Sequence, residues 1–384
     1  LYILLISVEY ILQYCYNYEV IETTFILTNK KEVYKMKYSF LNDYSEGAHE
    51  SVLAALSLTN RLQTPGYGTD VFCTRAADAI RRALGRETSK IHFLTGGTQT
   101  NLTVISALLR PHQGVIAAET GHINVHESGA IEATGHKVLA LPAKGGKITA
   151  KAVADLLAAH FADSTAEHCV QPGMLYISQP TELGTIYSKQ ELTELCAVCR
   201  EYEIPFFIDG ARLGCALTCD SNDTTLSDLA ELCDLFYIGG TKMGALFGEA
   251  LVVNNIAYNK DLRYIIKQKG GMLAKGRILG IQFEALFTDD LYFKLAKHAN
   301  DAAKHLAAGI KALGYSFDAE PATNQLFPVF PRKLIEQLRE DYWFEFNRRV
   351  DDEHDCIRLC TSWASDIEKI DEFLSDLALL GGKK

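Results

Sequence analysis

The sequence predicts an α/β fold with a mostly parallel sheet and a smaller C-terminal α+β domain. Two observations carry this. Short β-rich apolar runs recur along the first three quarters of the chain, and helical patterns separate several of them. After about residue 290 the texture changes to one long helical run, a few short strands and a final helix. The 384 residues suffice for one large domain with a smaller one attached, and 48% apolar with 22% charged content is ordinary for a globular protein.

The elements follow in order. "LYILLISVEYILQYCYNYEVIETTFILTNKKEVYK" (1–35) begins with Leu, and the first Met is Met36. Glu9 interrupts its apolar run, and no basic leader or small-residue cleavage site frames it, so it reads as neither a signal peptide nor a membrane span. Residues 1–35 are therefore expected to be translated upstream sequence or a poorly ordered extension. Residues 36–290 read as an N-terminal arm and large domain, and residues 291–384 as a small one. The runs "KIHFL", "GVIAA", "KVLAL", "MLYIS", "PFFID", "LFYIG" and "ALVVN" are strands. "TAKAVADLLAAH" and the segment from Ser188 to Tyr202 are helices, the second opened by a capping box of Ser188 and Glu191.

The formal net charge of −10 argues against a nucleic-acid partner. The ten cysteines are scattered through apolar runs, which suits free thiols in a reducing, cytoplasmic setting. Cys196 and Cys199 form a CxxC inside a helical pattern with no second pair at zinc spacing, so they read as packing residues and no metal is expected.

In an open parallel sheet, ligands bind beyond the carboxyl ends of the strands. Three such places stand out. In "FLTGGTQTN" (93–101), Gly96 and Gly97 allow a tight turn and Thr98 offers a hydroxyl at a helix start, which is an anion site or, taken alone, a plain connector. In "PFFIDGARLG" (205–214), Asp209 ends an apolar run and needs a partner, Arg212 being the nearest. In "LFYIGGTKMGALFGEALVV" (235–253), Lys242 stands between two apolar runs. Anion cradle, strand-end Asp and strand-end Lys, in that order, are what pyridoxal phosphate requires.

"NDYSEGAH", "QTPGYGTD", "LTGGTQTNL", "ETGHINVHESGA", "IDGARLG", "GGTKMGALFG", "KGGM" and "CIRLCTSW" run in one order over nearly all the chain after Met36. They resemble the fold-type I pyridoxal-phosphate enzymes and, within them, the threonine aldolase/β-eliminating lyase family. The resemblance implies a lyase that cleaves a β-hydroxy-α-amino acid to glycine and an aldehyde. β-Elimination or transamination on the same scaffold, or a non-catalytic binding protein, are the alternatives.

By the same resemblance Lys242 is the Schiff-base lysine, Asp209 the partner of the pyridine nitrogen, and Gly97, Thr98 and Gln99 the phosphate turn. His122 is the residue stacked on the ring, and Arg212 lies beside cofactor and substrate. Arg358 grips the substrate carboxylate, where a planar fork is preferred. Asn42 joins the substrate-binding set. Tyr67 is supplied by a neighbouring subunit, which implies a homodimer or homotetramer. Glu182 falls where the family usually has a histidine near the substrate hydroxyl, and His126 has appeared four residues after His122. Either takes the hydroxyl proton, or Glu182 only orders its loop. Lys267, Lys269 and Lys275 are candidates for phosphate contact, with a solvated basic face as the default.

Overall fold

The computed structural model describes residues 37–382. The expectation for residues 1–35 lies outside the described residues. The strands are β1 (Tyr38–Ser39), β2 (Lys90–Leu94), β3 (Gln113–Ala118), β4 (Val138–Leu141), β5 (Gln171–Ser178), β6 (Phe206–Asp209), β7 (Leu235–Gly239) and β8 (Glu249–Val253). β2 to β8 form one seven-stranded sheet in the order β2-β8-β7-β6-β5-β3-β4. β8 runs antiparallel to both its neighbours, and the other pairs are parallel. The expected mostly parallel sheet is present, with each of the seven apolar runs supplying one strand.

Period-two alternation explains how both faces are filled. Leu175, Ile177, Phe206, Ile208, Phe236, Ile238, Ala250 and Val252 belong to one apolar cluster. The residues between them, among them Met174, Tyr176, Phe207, Leu235, Tyr237, Leu251 and Val253, belong to another on the opposite face. The same parity puts Ser178, Asp209 and Glu249 on the face of Tyr176, Phe207 and Leu251. Every polar group of the site described below that comes from a strand is therefore on one side of the sheet, where the helix Gly97–Leu108 also packs.

The helix Lys189–Glu201 begins with the expected capping box, Ser188 and Glu191 bonding reciprocally. It buries Leu192, Leu195, Cys196 and Cys199, so the CxxC packs on the core. Nine cysteines lie within the described residues; all are free thiols, and only Cys169 is exposed.

The long helix Leu291–Ala312 links two cores: Leu295, Ala296 and Ala299 pack on the large sheet, whereas Ala302, Leu306 and Ile310 enter a separate cluster. That second cluster lies on β9 (Ser316–Phe317), β10 (Gln325–Leu326), β11 (Pro328–Pro331), β12 (Tyr342–Trp343) and β14 (His354–Cys360), and on the final helix Ile367–Leu380; the exposed β13 (Glu345–Arg349) pairs with β14. β1 pairs with β12, and Phe40 is fully buried in this second cluster. The N-terminal strand thus crosses to the C-terminal part and carries Asn42 and Asp43 between the two cores. Among the described residues, no helix is long and apolar enough to cross a membrane.

Candidate active site

A cavity of about 300 Å³ opens at the carboxyl edge of the sheet. Lys242, Asp209, Arg212, His122, Glu182, Gly97 and Thr98 all line it. The strand ends that carry them are drawn together by backbone contact. Gly239 N–H donates to the Gly210 carbonyl at 2.9 Å. A Cβ on Gly239 would sit 2.2 Å from the Ala211 carbonyl oxygen, and one on Gly210 would sit 1.9 Å from that of Tyr237. Only glycine fits at either place, so Asp209 and the Lys242 loop become neighbours.

Asp209 is 4% exposed. Its Oδ2 accepts from the Tyr176 hydroxyl (2.6 Å) and Asn101 Nδ2 (2.9 Å); its Oδ1 accepts from the Tyr237 hydroxyl (2.5 Å) and the Ala211 N–H (3.0 Å). Burial works against its charge most strongly, but His122 and the donors together outweigh it, and the carboxyl is held below its usual range. Asn101 Nδ2 also donates to Glu127 Oε1 (2.8 Å), which meets His122 Nδ1 at 2.8 Å. One chain of contacts therefore runs from Asp209 to the His122 ring and fixes both.

Burial pushes the Lys242 amine down, with Arg212 adding to the effect and Asp43, Asp209 and Glu249 opposing it. The shift is toward the neutral, nucleophilic form of the amine. Its Nζ lies 5.8 Å from the centre of the Tyr44 ring. Arg212 is locked by a bidentate pair with Asp43, Nε to Oδ2 at 2.6 Å and Nη2 to Oδ1 at 3.0 Å. Burial opposes the Asp43 charge, yet Arg212 and Lys242 bring its carboxyl down to about 2.

The helix Gly97–Leu108 starts at Gly96 with no side-chain cap, so first-turn N–H groups face the cavity edge unpaired by a capping side chain. The Gln99 side chain is used elsewhere, accepting from Thr95 N–H (3.1 Å) and donating to the Lys269 carbonyl (3.4 Å). Glu182 Oε1 accepts from the His122 N–H (2.8 Å) and the Ser178 hydroxyl (2.5 Å). Burial, its largest influence, raises the Glu182 carboxyl despite those donors.

The remaining expected residues lie outside the cavity lining. His126 is exposed, its ring 5.6 Å from that of His122, and burial together with His122 and Arg358 lowers its pKa. Arg358 pairs with Glu345 at 2.7 Å. Asn42 Oδ1 accepts from Tyr44 N–H and the Ser45 hydroxyl, both at 3.0 Å. Tyr67 lines a different cavity with Arg263 and Met272, and Lys267 Nζ lies 4.3 Å from its ring centre. Lys275 lines a third, beside Leu62 and Ile278.

Four participants escaped sequence reasoning: Asp43, Glu127, Asn101 and Glu249. Glu249 is 3% exposed; its Oε2 accepts the Gly240 N–H (3.0 Å) and its Oε1 the Thr241 hydroxyl (2.9 Å). Since β8 is antiparallel, its first residue falls at the edge where its neighbours end, opposite both Gly239 and Leu94. The "GE" before an apolar run was the available signal, but the strand direction needed to use it was not.

This donor set fits pyridoxal phosphate. An uncapped helix start suits the phosphate, a buried anionic Asp209 a protonated ring nitrogen, and a buried amine the aldehyde, all within one cavity.

The β-eliminating lyase family's sequence model matches residues 44–331. The low specificity L-threonine aldolase of Pseudomonas aeruginosa is 32% identical over 351 residues, 89% of this chain and 98% of that protein. The solved structure of Leishmania major threonine aldolase is 45% identical and superposes with a TM-score of 0.87, covering 89% of this chain and 99% of that one. Thermus thermophilus aspartate aminotransferase, at 15% identity and a TM-score of 0.68 over 94% of this chain and 96% of that one, shares the fold. The chain belongs to the β-eliminating lyase family, on its threonine aldolase side, with the fold-type I architecture.

Proposed function

We propose that the protein is a pyridoxal-phosphate-dependent aldehyde-lyase that cleaves threonine-type β-hydroxy-α-amino acids to glycine and an aldehyde. The observation that carries this is the meeting of the Lys242 amine and the Asp209 carboxylate in one cavity of a threonine aldolase-like chain. Gly97 and Thr98 at the helix start would hold the phosphate, His122 would pack on the ring and Asp209 would pair with its nitrogen. Bound there, pyridoxal phosphate supplies the electron sink for the charge left on Cα when the Cα–Cβ bond breaks.

The chain's own groups do the rest. Asp209 keeps its charge because four donors and His122 hold it ionised. Burial lowers the proton affinity of the Lys242 amine, the group that would bond the cofactor aldehyde. Arg358 takes the α-carboxylate. Arg212, oriented by two hydrogen bonds to Asp43, is a fixed cation in the cavity wall. Glu182, made more basic by burial, accepts the β-hydroxyl proton, with His126 the second candidate.

The working unit is a homodimer or larger homo-oligomer in which Tyr67 enters a neighbour's cavity. In support, Tyr67 is 46% exposed and lies away from Lys242, and Leu53, Leu58, Leu62 and Leu246 are exposed nearby in the chain or beside the same loops. The buried thiols favour a reducing, cytoplasmic setting.

The test is product analysis with threonine and allo-threonine. Acetaldehyde and glycine are expected, and both should vanish, together with the visible cofactor band, in Lys242→Ala. A keto acid and ammonia in their place would replace this reading with β-elimination.

A further inference from the structure

The two arginines near the cavity are held in opposite ways. Arg212 makes two hydrogen bonds to Asp43, whose side chain is fully buried and also accepts from Asn324 Nδ2 at 2.9 Å. Removing that carboxylate would strand a buried cation, so the pair is permanent. Arg358 is held by a surface group. Its Nη2 lies 2.7 Å from Glu345 Oε2, and the Glu345 side chain is 46% exposed. The same Nη2 donates to the Leu41 carbonyl at 3.1 Å, which holds the guanidinium against the segment that follows β1. Its Nε is buried, and among the described residues no acceptor faces it.

Glu345 and Arg358 are direct cross-strand partners on β13 and β14. Both act on His126, Arg358 lowering its proton affinity and Glu345 raising it, so both charges lie within electrostatic reach of that ring. The His126 ring in turn lies against that of His122, which lines the cavity.

We propose that Glu345 is a specificity-determining residue that occupies Arg358 in the substrate-free enzyme and yields it to the substrate's α-carboxylate. This rests on the reading of Arg358 as the carboxylate-binding residue. The chemistry of the two states matches: one carboxylate leaves the guanidinium as another arrives, and no charge is left buried and unpaired. Glu345 meets Nη2 alone and Nε stays without an acceptor, so Glu345 leaves the guanidinium fork half used. A half-exposed carboxylate on a flexible stem is cheap to displace, because water solvates it once it swings away. The device discriminates. A ligand without a carboxylate cannot displace Glu345, whereas one with a second carboxylate near Cα is repelled by the released Glu345 charge.

Glycine titrated into the cofactor-loaded enzyme, followed by the visible absorbance, reads carboxylate binding without turnover. Glu345→Gln should lower the glycine Kd by about two- to fivefold, the range an exposed competing pair supplies. Arg358→Lys should raise it at least about tenfold, and in that background Glu345→Gln should gain nothing. Inhibition of threonine cleavage by acetate should strengthen in Glu345→Gln by the same factor as glycine binding. An unchanged or weaker glycine affinity in Glu345→Gln, with Arg358→Lys still impaired, overturns the placeholder role and makes Glu345 an orienting partner. Unchanged affinity in Arg358→Lys overturns the reading of Arg358 itself.

Discussion

Replacing Glu249 by Gln tests the buried electrostatics of the lysine loop directly. Burial is the largest influence on this carboxyl and pushes it up to about 8, against the opposing effects of Thr241, Lys242 and the Gly240 N–H. In the unfolded chain the same group titrates near 4.5. Its folded pKa is the higher of the two, so between these values the folded protein binds more protons than the unfolded one. The stability it contributes is therefore fully present below about pH 4.5 and is lost as pH rises through about 8. The shift sets a ceiling of about 5 kcal/mol; water entry and relaxation around the charge leave an expected observable share of about 2 kcal/mol. Gln mimics the protonated form. Its oxygen can accept the Gly240 N–H, and its amide can donate to Thr241 Oγ, which already accepts from Gly248 N–H at 3.0 Å. The assay is thermal unfolding of cofactor-free parent and variant from pH 5 to pH 9, read as the difference in Tm so that all other titrations cancel. The difference should be near zero at pH 5 and favour the variant by a few degrees at pH 9. A flat difference, or a variant less stable at pH 9, refutes the reasoning. It would mean that Glu249 is ionised throughout and serves as a useful counter-charge to Lys242.

The other predictions concern the reaction. Asp209→Asn should retain the cofactor yet lose about 10²-fold or more in turnover, because an amide cannot hold a ring nitrogen protonated; cofactor content and kcat on the same sample decide it. Glu182→Gln should leave glycine binding intact and slow aldehyde release. It should also remove the acidic limb of the rate profile, since activity requires the carboxylate and is lost as pH falls through its raised pKa. Parent-like cleavage by that variant would make Glu182 an orderer of its loop and pass the role to His126. Mixing inactive Lys242→Ala and Tyr67→Phe subunits should restore part of the activity if sites are shared, and no rescue after demonstrated subunit exchange would assign each site to one chain.

The strands were legible because their information is local. "PFFID" and "LFYIG" are apolar at every position, as a strand buried on both faces must be, and each ends at the polar residue or glycine where the structure ends it. Lys242 and Asp209 were legible because a charged side chain at the end of such a run has few structural explanations. Glu249 has the same signature at the start of a run, and only the antiparallel direction of β8 turns that start into a site position. Asp43 was hidden for another reason. Its significance comes from Arg212, 169 residues away, and from Phe40 anchoring the segment in the second core. The pairing of Glu345 with Arg358 depends on the register of two strands in a small sheet, and exposed residues alternating with charges do not specify register.

Apart from Glu127, which is tied to His122 and Asn101, four carboxylates stand in or beside the cavity, and their surroundings divide them into two kinds. Asp43 and Asp209 have their oxygens filled by donors, one from an arginine fork and the other from two phenols, an amide and a backbone N–H, and both are held low. Such groups are fixed charges: moving a proton onto either would break several hydrogen bonds at once. Glu182 and Glu249 are both raised by burial, and Glu249, pushed up to about 8, can carry a proton near neutral pH. They differ in which oxygens are committed. Glu249 engages one oxygen with Gly240 and the other with Thr241, so its proton is tied to the loop that presents Lys242. The His122 and Ser178 contacts of Glu182 both fall on Oε1. Its Oε2 takes no hydrogen bond from His122 or Ser178, and can meet a substrate hydroxyl without dismantling those contacts. On the proposed reading, the mobile proton belongs to Glu182 and the static one to Glu249. The two Gln variants should therefore separate cleanly, one in the rate profile and the other in the stability profile.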